Sequence, residues 1–167
     1  MDICISDIAN DSIVDGKGMR LTVFTQGCPH NCKGCHNPQT HDFNGGKIVD
    51  TDSIIKIAIE NPLLDGITLS GGEPFMQPEA CLDIAIKAKK HGLNIWTYTG
   101  FTFEEIINSN DNKKIELLKN TDILVDGKFI EEQRSLDILF CGSRNQRIID
   151  IKKTFENNTI IIKKFDY

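Results

Sequence analysis

The fold is indicated most clearly by one stretch of sequence, GITLSGGEPFMQPEACLDIAIKAKKHGLNIWTY, which occupies residues 66–98. It opens with a short run of strand-forming residues and continues from Pro78 to His91 with a helical pattern that Gly92 closes. It ends in a second run of strand formers, Leu93 to Tyr98. A strand, a helix and a strand in this order form a right-handed βαβ unit with parallel strands. We therefore expect an α/β fold built on a parallel sheet.

The rest of the chain repeats this alternation. Further strands are predicted from Ile3 and at 20–25, 122–125, 148–151 and 159–162, and further helices at 51–62, 102–108 and 113–119. An eight-fold TIM barrel needs about 250 residues, whereas this chain has 167. The expected fold is therefore a partial, incomplete TIM-type β/α barrel or an open sheet, formed by a single domain over 1–167.

Composition excludes several classes of function. Asp and Glu number 24 against 19 Lys and Arg, a net charge of -5 that argues against a nucleic-acid binder. The longest apolar runs, such as Thr159–Ile162, are far shorter than the roughly 20 residues of a membrane span. The first residues, MDIC, lack the basic and apolar regions of a secretion signal. We expect a cytoplasmic protein that binds neither nucleic acid nor membrane.

Three of the six cysteines lie within eight residues, in the run CPHNCKGC at 28–35. They begin a long irregular stretch that reaches about Asp50, and a loop of this length is usually functional. In a cytoplasmic chain such clustering points to metal or cluster ligation rather than to disulfides. Cys4, Cys81 and Cys141 lack ligand spacing, and Cys81 is expected to be a small buried residue of a helix.

Two kinds of centre agree with the three clustered cysteines. A structural Zn site takes four ligands, and the fourth could come from His30, His36, His41 or Cys81. A 4Fe–4S cluster normally takes four cysteines. With three, one iron keeps an open coordination position that a small molecule can occupy.

Polar or glycine-rich sequence follows four of the predicted strands. These segments are the cysteine loop, SGGEP at 70–74, TYTG at 97–100 and DGKF at 126–129. The carboxyl ends of parallel strands meet at one edge of a sheet or barrel, where ligands gather. We expect the four segments to form one shared site.

The C-x3-C-x2-C motif followed by a Gly-Gly-Glu strand end resembles the radical S-adenosylmethionine (SAM) enzymes. The run GCPHNCKGCHNP at 27–38 is similar to the glycyl-radical activating enzymes within that group. The short chain, VDGKF at 125–129 and GSRNQRI at 142–148 resemble in particular the activating proteins of anaerobic ribonucleoside-triphosphate reductases. The resemblance spans about residues 19–149.

The resemblance implies a set of site residues. Cys28, Cys32 and Cys35 would ligate a 4Fe–4S cluster, and SAM would chelate the open iron. The residues implied in SAM binding are Gly34, Cys35, His36, Gly71, Gly72, Glu73, Thr99, Asp126 and Lys128. In this interpretation the two glycines let backbone approach the ligand, and Glu73 accepts a hydrogen bond from an ammonium or a backbone amide. The alternatives are a helix-start carboxylate for Glu73, a cluster or Zn ligand for His36, and a plain surface charge for Lys128.

The resemblance also implies an activity. The enzyme would cleave SAM reductively and generate a glycyl radical on an anaerobic ribonucleoside-triphosphate reductase, with a flavodoxin-like protein as the reductant. Because the cofactors carry this chemistry, no nucleophile or acid–base system is required. Two alternatives stay open: a radical SAM enzyme that acts on a small molecule, similar to 7-carboxy-7-deazaguanine synthase, and a non-catalytic Zn-binding module.

Overall fold

A computed structural model describes residues 1–166 of the chain. Its strands are β1 (Asp2–Ser12), β2 (Arg20–Thr25), β3 (Lys47–Asp50), β4 (Gly66–Gly71), β5 (Asn94–Tyr98), β6 (Ile123–Asp126) and β7 (Arg147–Asp150). They form one sheet in the order β3-β1-β2-β4-β5-β6-β7. The α-helices are α1 (Thr51–Glu60), α2 (Pro78–Lys90), α3 (Phe103–Ile107), α4 (Asn112–Asn120) and α5 (Ile151–Asn157). The α/β class is confirmed.

The centre of the sheet is parallel, as the βαβ unit of 66–98 predicts. Strand β4 pairs in parallel with β2 and β5, and β5 pairs in parallel with β6. The edges are antiparallel, so the expectation of a wholly parallel sheet is wrong there. β1 returns to β2 through a short hairpin, and β6 reaches β7 through a loop with only a 3-10 turn, Glu131–Gln133. Neither connection contains the crossover helix that parallel neighbours need.

Two predictions at the chain's periphery differ from the structure. Strand β3 lies where the sequence suggests irregular structure, and it pairs with the start of β1. The weak strand predicted at 159–162 is reduced to one isolated bridge, Ile149 to Ile162. No helix in the described part of the chain has the length and apolar character to cross a membrane.

The main core lies between one face of the sheet and the helices. Leu21, Leu69 and Ile95 from the strands are fully buried against helix residues such as Ile84. Cys81 of α2 is fully buried in this core, as predicted, and burial raises the pKa of its thiol. The other face of the sheet carries a smaller cluster, in which the buried Trp96, Ile123, Val125 and Ile148 pack with Phe140 and Phe165. The helices pack on a face of the sheet, and the loops that follow the parallel strands lie at the carboxyl edge.

A buried arginine closes the opposite, amino edge of the parallel strands. Arg20 is fully buried, and burial lowers the pKa of its guanidinium to about 10. The guanidinium carbon lies 5.6 Å from the ring centre of Trp96. Its N–H groups donate to Thr68 Oγ1 at 2.7 Å and to the carbonyls of Ile67 (2.9 Å), Lys17 (3.1 Å) and Asn94 (3.2 Å). These bonds tie the amino ends of β2, β4 and β5 together.

Candidate functional site

The cysteine loop leaves β2 at the carboxyl edge of the sheet. Its base is closed by two backbone hydrogen bonds, from Gly27 N to Thr40 O at 2.8 Å and from Cys28 N to His41 O at 3.2 Å. A third bond, from Cys35 N to Cys32 O at 3.2 Å, folds the segment between the last two cysteines. All three thiols are free and partly exposed. The loop thus presents them together above the strand ends.

The thiol of Cys35 accepts a hydrogen bond from the backbone N–H of Asn37, with an N-to-Sγ distance of 3.4 Å. Hydrogen bonds to cluster sulfurs are one of the means by which a protein sets a cluster's potential. Burial raises the pKa of Cys28 and Cys32 in the metal-free chain, so binding iron must displace their protons.

The donor set fits an iron–sulfur cluster. Within residues 1–166, no three His, Cys, Asp or Glu side chains surround a position for a single metal ion. A 4Fe–4S cluster does not require such convergence, because its thiolates bind separate irons. Three soft sulfur donors in one partly exposed loop suit this cluster and leave one iron without a protein thiolate.

Glu73 lies at the end of β4 and is fully buried. Its carboxylate accepts from Phe75 N at 3.0 Å, from Thr99 Oγ1 at 2.9 Å and from Gly100 N at 2.9 Å. A fourth bond joins it to His30 Nε2 at 2.6 Å. The predicted pair Glu73 and Thr99 is therefore brought together, but the two side chains bond to each other, and Glu73 also bonds to His30 of the cysteine loop.

The two glycines at the end of β4, Gly71 in the strand and Gly72 directly after it, lie against backbone. A Cβ on Gly71 would come 2.5 Å from Phe24 Cα, and Gly71 has a positive φ of 89°. A Cβ on Gly72 would come 2.5 Å from Gly27 O and 2.9 Å from Thr25 O. Both glycines are thus required where β4 packs against the end of β2. The prediction that they admit a ligand stays untested, and the structure supplies this second reason for them.

Asp126, at the end of β6, is buried and has protein partners. Its carboxylate accepts from Phe103 N at 2.8 Å and from Arg147 Nε at 2.9 Å. Arg147 also bonds to Glu104, with Nη2 to Oε2 at 2.7 Å, and this bond lowers the pKa of Glu104. Asp126 therefore fastens β6 to β7 and to the start of α3. A direct contact with SAM through this carboxylate stays a prediction.

The segment after β6 contacts the second half of the cysteine loop. Lys128 is exposed and lies near Cys32, where its positive charge partly offsets the rise in the pKa of that thiol that burial causes. The exposed His36 packs on Phe129, with ring centres 5.0 Å apart. A Cβ on Gly34, which has a φ of 74°, would meet Glu131 Oε1 at 2.9 Å. The structure thus brings Gly34 and His36 of the loop to the segment that carries Lys128, and the contacts of these residues with SAM stay predictions.

Two residues that contribute to this arrangement were not assigned these roles by sequence reasoning. The side chain of His30 is only 6% exposed and bonds to Glu73. Arg147 forms an ion pair with Asp126. The neighbouring Gln146 donates to Gly127 O at 2.9 Å, so Gln146 and Arg147 connect the start of β7 with the end of β6. The sequence indicates a role for His30 only through its position between two clustered cysteines.

Comparison with known proteins places the chain in a family. Residues 14–149 match a family model described as a 4Fe-4S single cluster domain. The anaerobic ribonucleoside-triphosphate reductase-activating protein of Haemophilus influenzae is 35% identical over 146 residues, covering 81% of this chain and 90% of that protein. The chain belongs to the anaerobic ribonucleoside-triphosphate reductase-activating protein family. Further members with the same name come from Enterobacteria phage T4, 33% identical over 81% of this chain and 86% of the phage protein, and Escherichia coli K12, 34% identical over 80% and 90%.

Membership of the activating-protein family confirms the resemblance drawn from the cysteine motif and the strand ends. The segment that matches the 4Fe-4S domain contains the cysteine loop and all four strand ends of the site. The prediction of a 4Fe–4S cluster is confirmed at the level of this domain, and the Zn-module alternative is not supported. The assignment of individual ligands and SAM contacts stays a prediction.

Proposed function

We propose that this protein is a radical SAM activase whose protein substrate is an anaerobic ribonucleoside-triphosphate reductase. The observation that carries the proposal is the cysteine loop: three free thiols at the carboxyl edge of a parallel sheet in a member of the activating-protein family. A 4Fe–4S cluster held by Cys28, Cys32 and Cys35 would supply the single electron for reductive cleavage of SAM, and the cleaved SAM would take up a hydrogen atom from a glycine of the reductase.

The chain's own residues hold and orient these groups. Cys28, Cys32 and Cys35 are the proposed cluster ligands, and the backbone N–H of Asn37 on the sulfur of Cys35 stabilises the thiolate form of that residue. Lys128 and His36, on the open side of the loop, are the side chains best placed to meet a bound SAM. For Lys128 we propose an ion pair with the carboxylate of SAM. Its exposure and its closeness to Cys32 support that role.

Some of the remaining residues proposed for SAM binding would contact the ligand, and others would act through neighbouring protein groups. We propose that Gly34, Gly71 and Gly72 offer backbone groups to the ligand, since side chains there would meet neighbouring atoms. Thr99 and Asp126 already bond to Glu73 and Arg147. We therefore propose that these two residues shape the site's walls.

We also propose the finer architecture and setting. The sheet is a partial β/α barrel in a single radical SAM domain over 1–167, with helices on one face and the Trp96 cluster on the other. A loop of free thiols suits the reducing cytoplasm. A flavodoxin-like protein is the proposed electron donor. An incomplete barrel leaves a side open, which suits a polypeptide substrate better than a small molecule.

The test is radical formation on the partner. The reduced, SAM-loaded protein mixed with anaerobic ribonucleoside-triphosphate reductase should give the electron paramagnetic resonance (EPR) doublet of a glycyl radical on the reductase. Omitting SAM or the reductant should abolish the doublet. A small molecule that is modified while no protein radical forms would support the alternative of a small-molecule radical SAM enzyme.

A further inference from the structure

We infer that His30 and Glu73 form a latch that fixes the cysteine loop to the carboxyl edge of the sheet, so that His30 is a positioning residue for the cluster. The latch is defined as the bond between His30 Nε2 and Glu73 Oε2, at 2.6 Å. Both side chains are buried, with 6% of His30 and none of Glu73 exposed. The role of His30 in positioning the cluster rests on the proposed function. Its role in fixing the loop to the sheet does not.

His30 connects to the cysteine ligands through its backbone. It lies two residues after Cys28, and its side chain bonds to Glu73. The same residue thus ties the backbone next to the first thiol to the carboxyl edge of the sheet. A displacement of the imidazole moves the backbone next to Cys28.

Hydrogen-bond donors from the protein occupy the acceptor sites of the Glu73 carboxylate. An ionised carboxylate offers about four lone-pair sites, and four donors reach Glu73: Phe75 N, Thr99 Oγ1, Gly100 N and His30 Nε2. The other three donors come from the segment after β4 and from the residues that follow β5. They hold the carboxylate in place independently of His30. Glu73 has no acceptor site left for the ammonium of a ligand. Its part in the site is therefore to hold the loop.

The end of β5 is shaped to receive the imidazole. A Cβ on Gly100 would lie 2.6 Å from His30 Nε2 and in closer contact with its Cδ2. Phe101 packs edge-on against the same ring, with centres 4.6 Å apart. Only glycine at position 100 leaves room for the ring in this place, so two elements distant in sequence from the loop are matched to His30.

The latch can be tested in the full chain without any cluster. Amide hydrogen exchange would be measured across residues 27–43 in wild type, His30→Ala, His30→Gln, Gly100→Ala and His41→Ala. We expect faster exchange of these loop amides in His30→Ala and in Gly100→Ala, which displaces the ring. His30→Gln should restore slow exchange, because its amide nitrogen reaches about the position of Nε2. The matched control His41→Ala, in the same loop, should behave as wild type.

A second readout follows the cluster in the loaded protein. The rate of iron loss to a chelator should rise about 10- to 100-fold in His30→Ala and Gly100→Ala, and the change in the EPR signal on adding SAM should weaken. His30→Gln should recover both properties, which a general loss of packing would not allow.

The outcomes separate this inference from the proposed function. Wild-type loop exchange and iron retention in His30→Ala would overturn the latch. If that variant fails to fold, wild-type loop exchange in Gly100→Ala would overturn it, and faster exchange there would support it. A wild-type chain that binds a cluster but forms no radical on the reductase would contradict the proposed function and leave the exchange result unchanged.

Discussion

Adding one methyl group at Gly72 is expected to damage the cysteine loop as well as any SAM pocket. The Cβ of Gly72→Ala would lie 2.5 Å from Gly27 O and 2.9 Å from Thr25 O. These carbonyls accept backbone bonds from Glu73 N at 2.9 Å and from Gly72 N at 2.8 Å. The methyl therefore pushes on the peptide unit directly before Cys28.

The size of the effect follows from the distances. Ordinary contact begins near 3.4 Å, so the Gly27 carbonyl must move by about 0.9 Å, an overpacking that typically costs about 1–3 kcal/mol. Losing the bond from Glu73 N would add about 1 kcal/mol. We expect Gly72→Ala to lower the free energy of unfolding by about 2–4 kcal/mol. A shift of this size exceeds the roughly 0.5 Å tolerance of a functional site.

The assay combines urea unfolding of the metal-free protein with iron and sulfide analysis after anaerobic reconstitution. Gly72→Ala should be less stable and should hold less cluster than wild type. The control is Gly92→Ala, where no atom lies within 4 Å of the new Cβ and only the φ of 77° is unfavourable. It should lose about 1 kcal/mol and keep its full cluster. A Gly72→Ala variant with wild-type stability and cluster content, but weak SAM binding, would refute the packing argument and show that this glycine serves the ligand.

Three further predictions concern the ligands, the amino edge and the acid range. Replacing Cys28, Cys32 or Cys35 by Ala should abolish the 4Fe–4S absorption spectrum, whereas Cys81→Ala and Cys141→Ala should retain it; loss of the cluster in Cys81→Ala would show that the ligand set is wrong. Arg20→Met removes the donor from two buried and two partly buried acceptors, so urea unfolding should show a loss of about 3 kcal/mol or more, and a loss below about 1 kcal/mol would contradict the structural role of Arg20. The hydrogen bond from Arg147 lowers the pKa of Glu104 in the folded protein. Ionised Glu104 therefore stabilises the fold above its unfolded pKa of about 4.3. This stabilisation is lost as the pH falls through the lower pKa of the folded state. Since Glu104 is half exposed, the effect should not exceed about 1 kcal/mol; the metal-free Glu104→Gln variant should lose less stability than wild type between about pH 6 and pH 3, and an equal loss would argue against the pair.

The central elements were predictable because their determinants are local. The helix α2 begins at Pro78, ends before Gly92 and carries one apolar face, and its flanking strands consist of strand-forming residues. The antiparallel edges were not predictable in the same way. Strand β3 exists through pairing between Lys47 and Ile5, 42 positions apart, and no local pattern encodes such a partner.

The residues of the site also separate into those that the local sequence predicts and those whose position depends on distant partners. The spacing of Cys28, Cys32 and Cys35 identified the loop, and the order of strand ends predicted that it would meet the Gly-Gly-Glu segment. The burial of His30 depends on Glu73, 43 positions later, and on the missing side chain at Gly100. Likewise, Asp126 is held by Arg147, 21 positions away, so its sequence context alone could not show that protein groups occupy its carboxylate.

The most direct test of the central claim follows one hydrogen atom. The reductase would be prepared with deuterium on the α-carbon of the glycine that carries the radical, and then mixed anaerobically with the reduced protein and SAM. Deuterium should appear in 5′-deoxyadenosine as the glycyl radical forms. Unlabelled 5′-deoxyadenosine, together with no glycyl radical on the reductase, would contradict the claim that this chain activates its partner by taking that hydrogen.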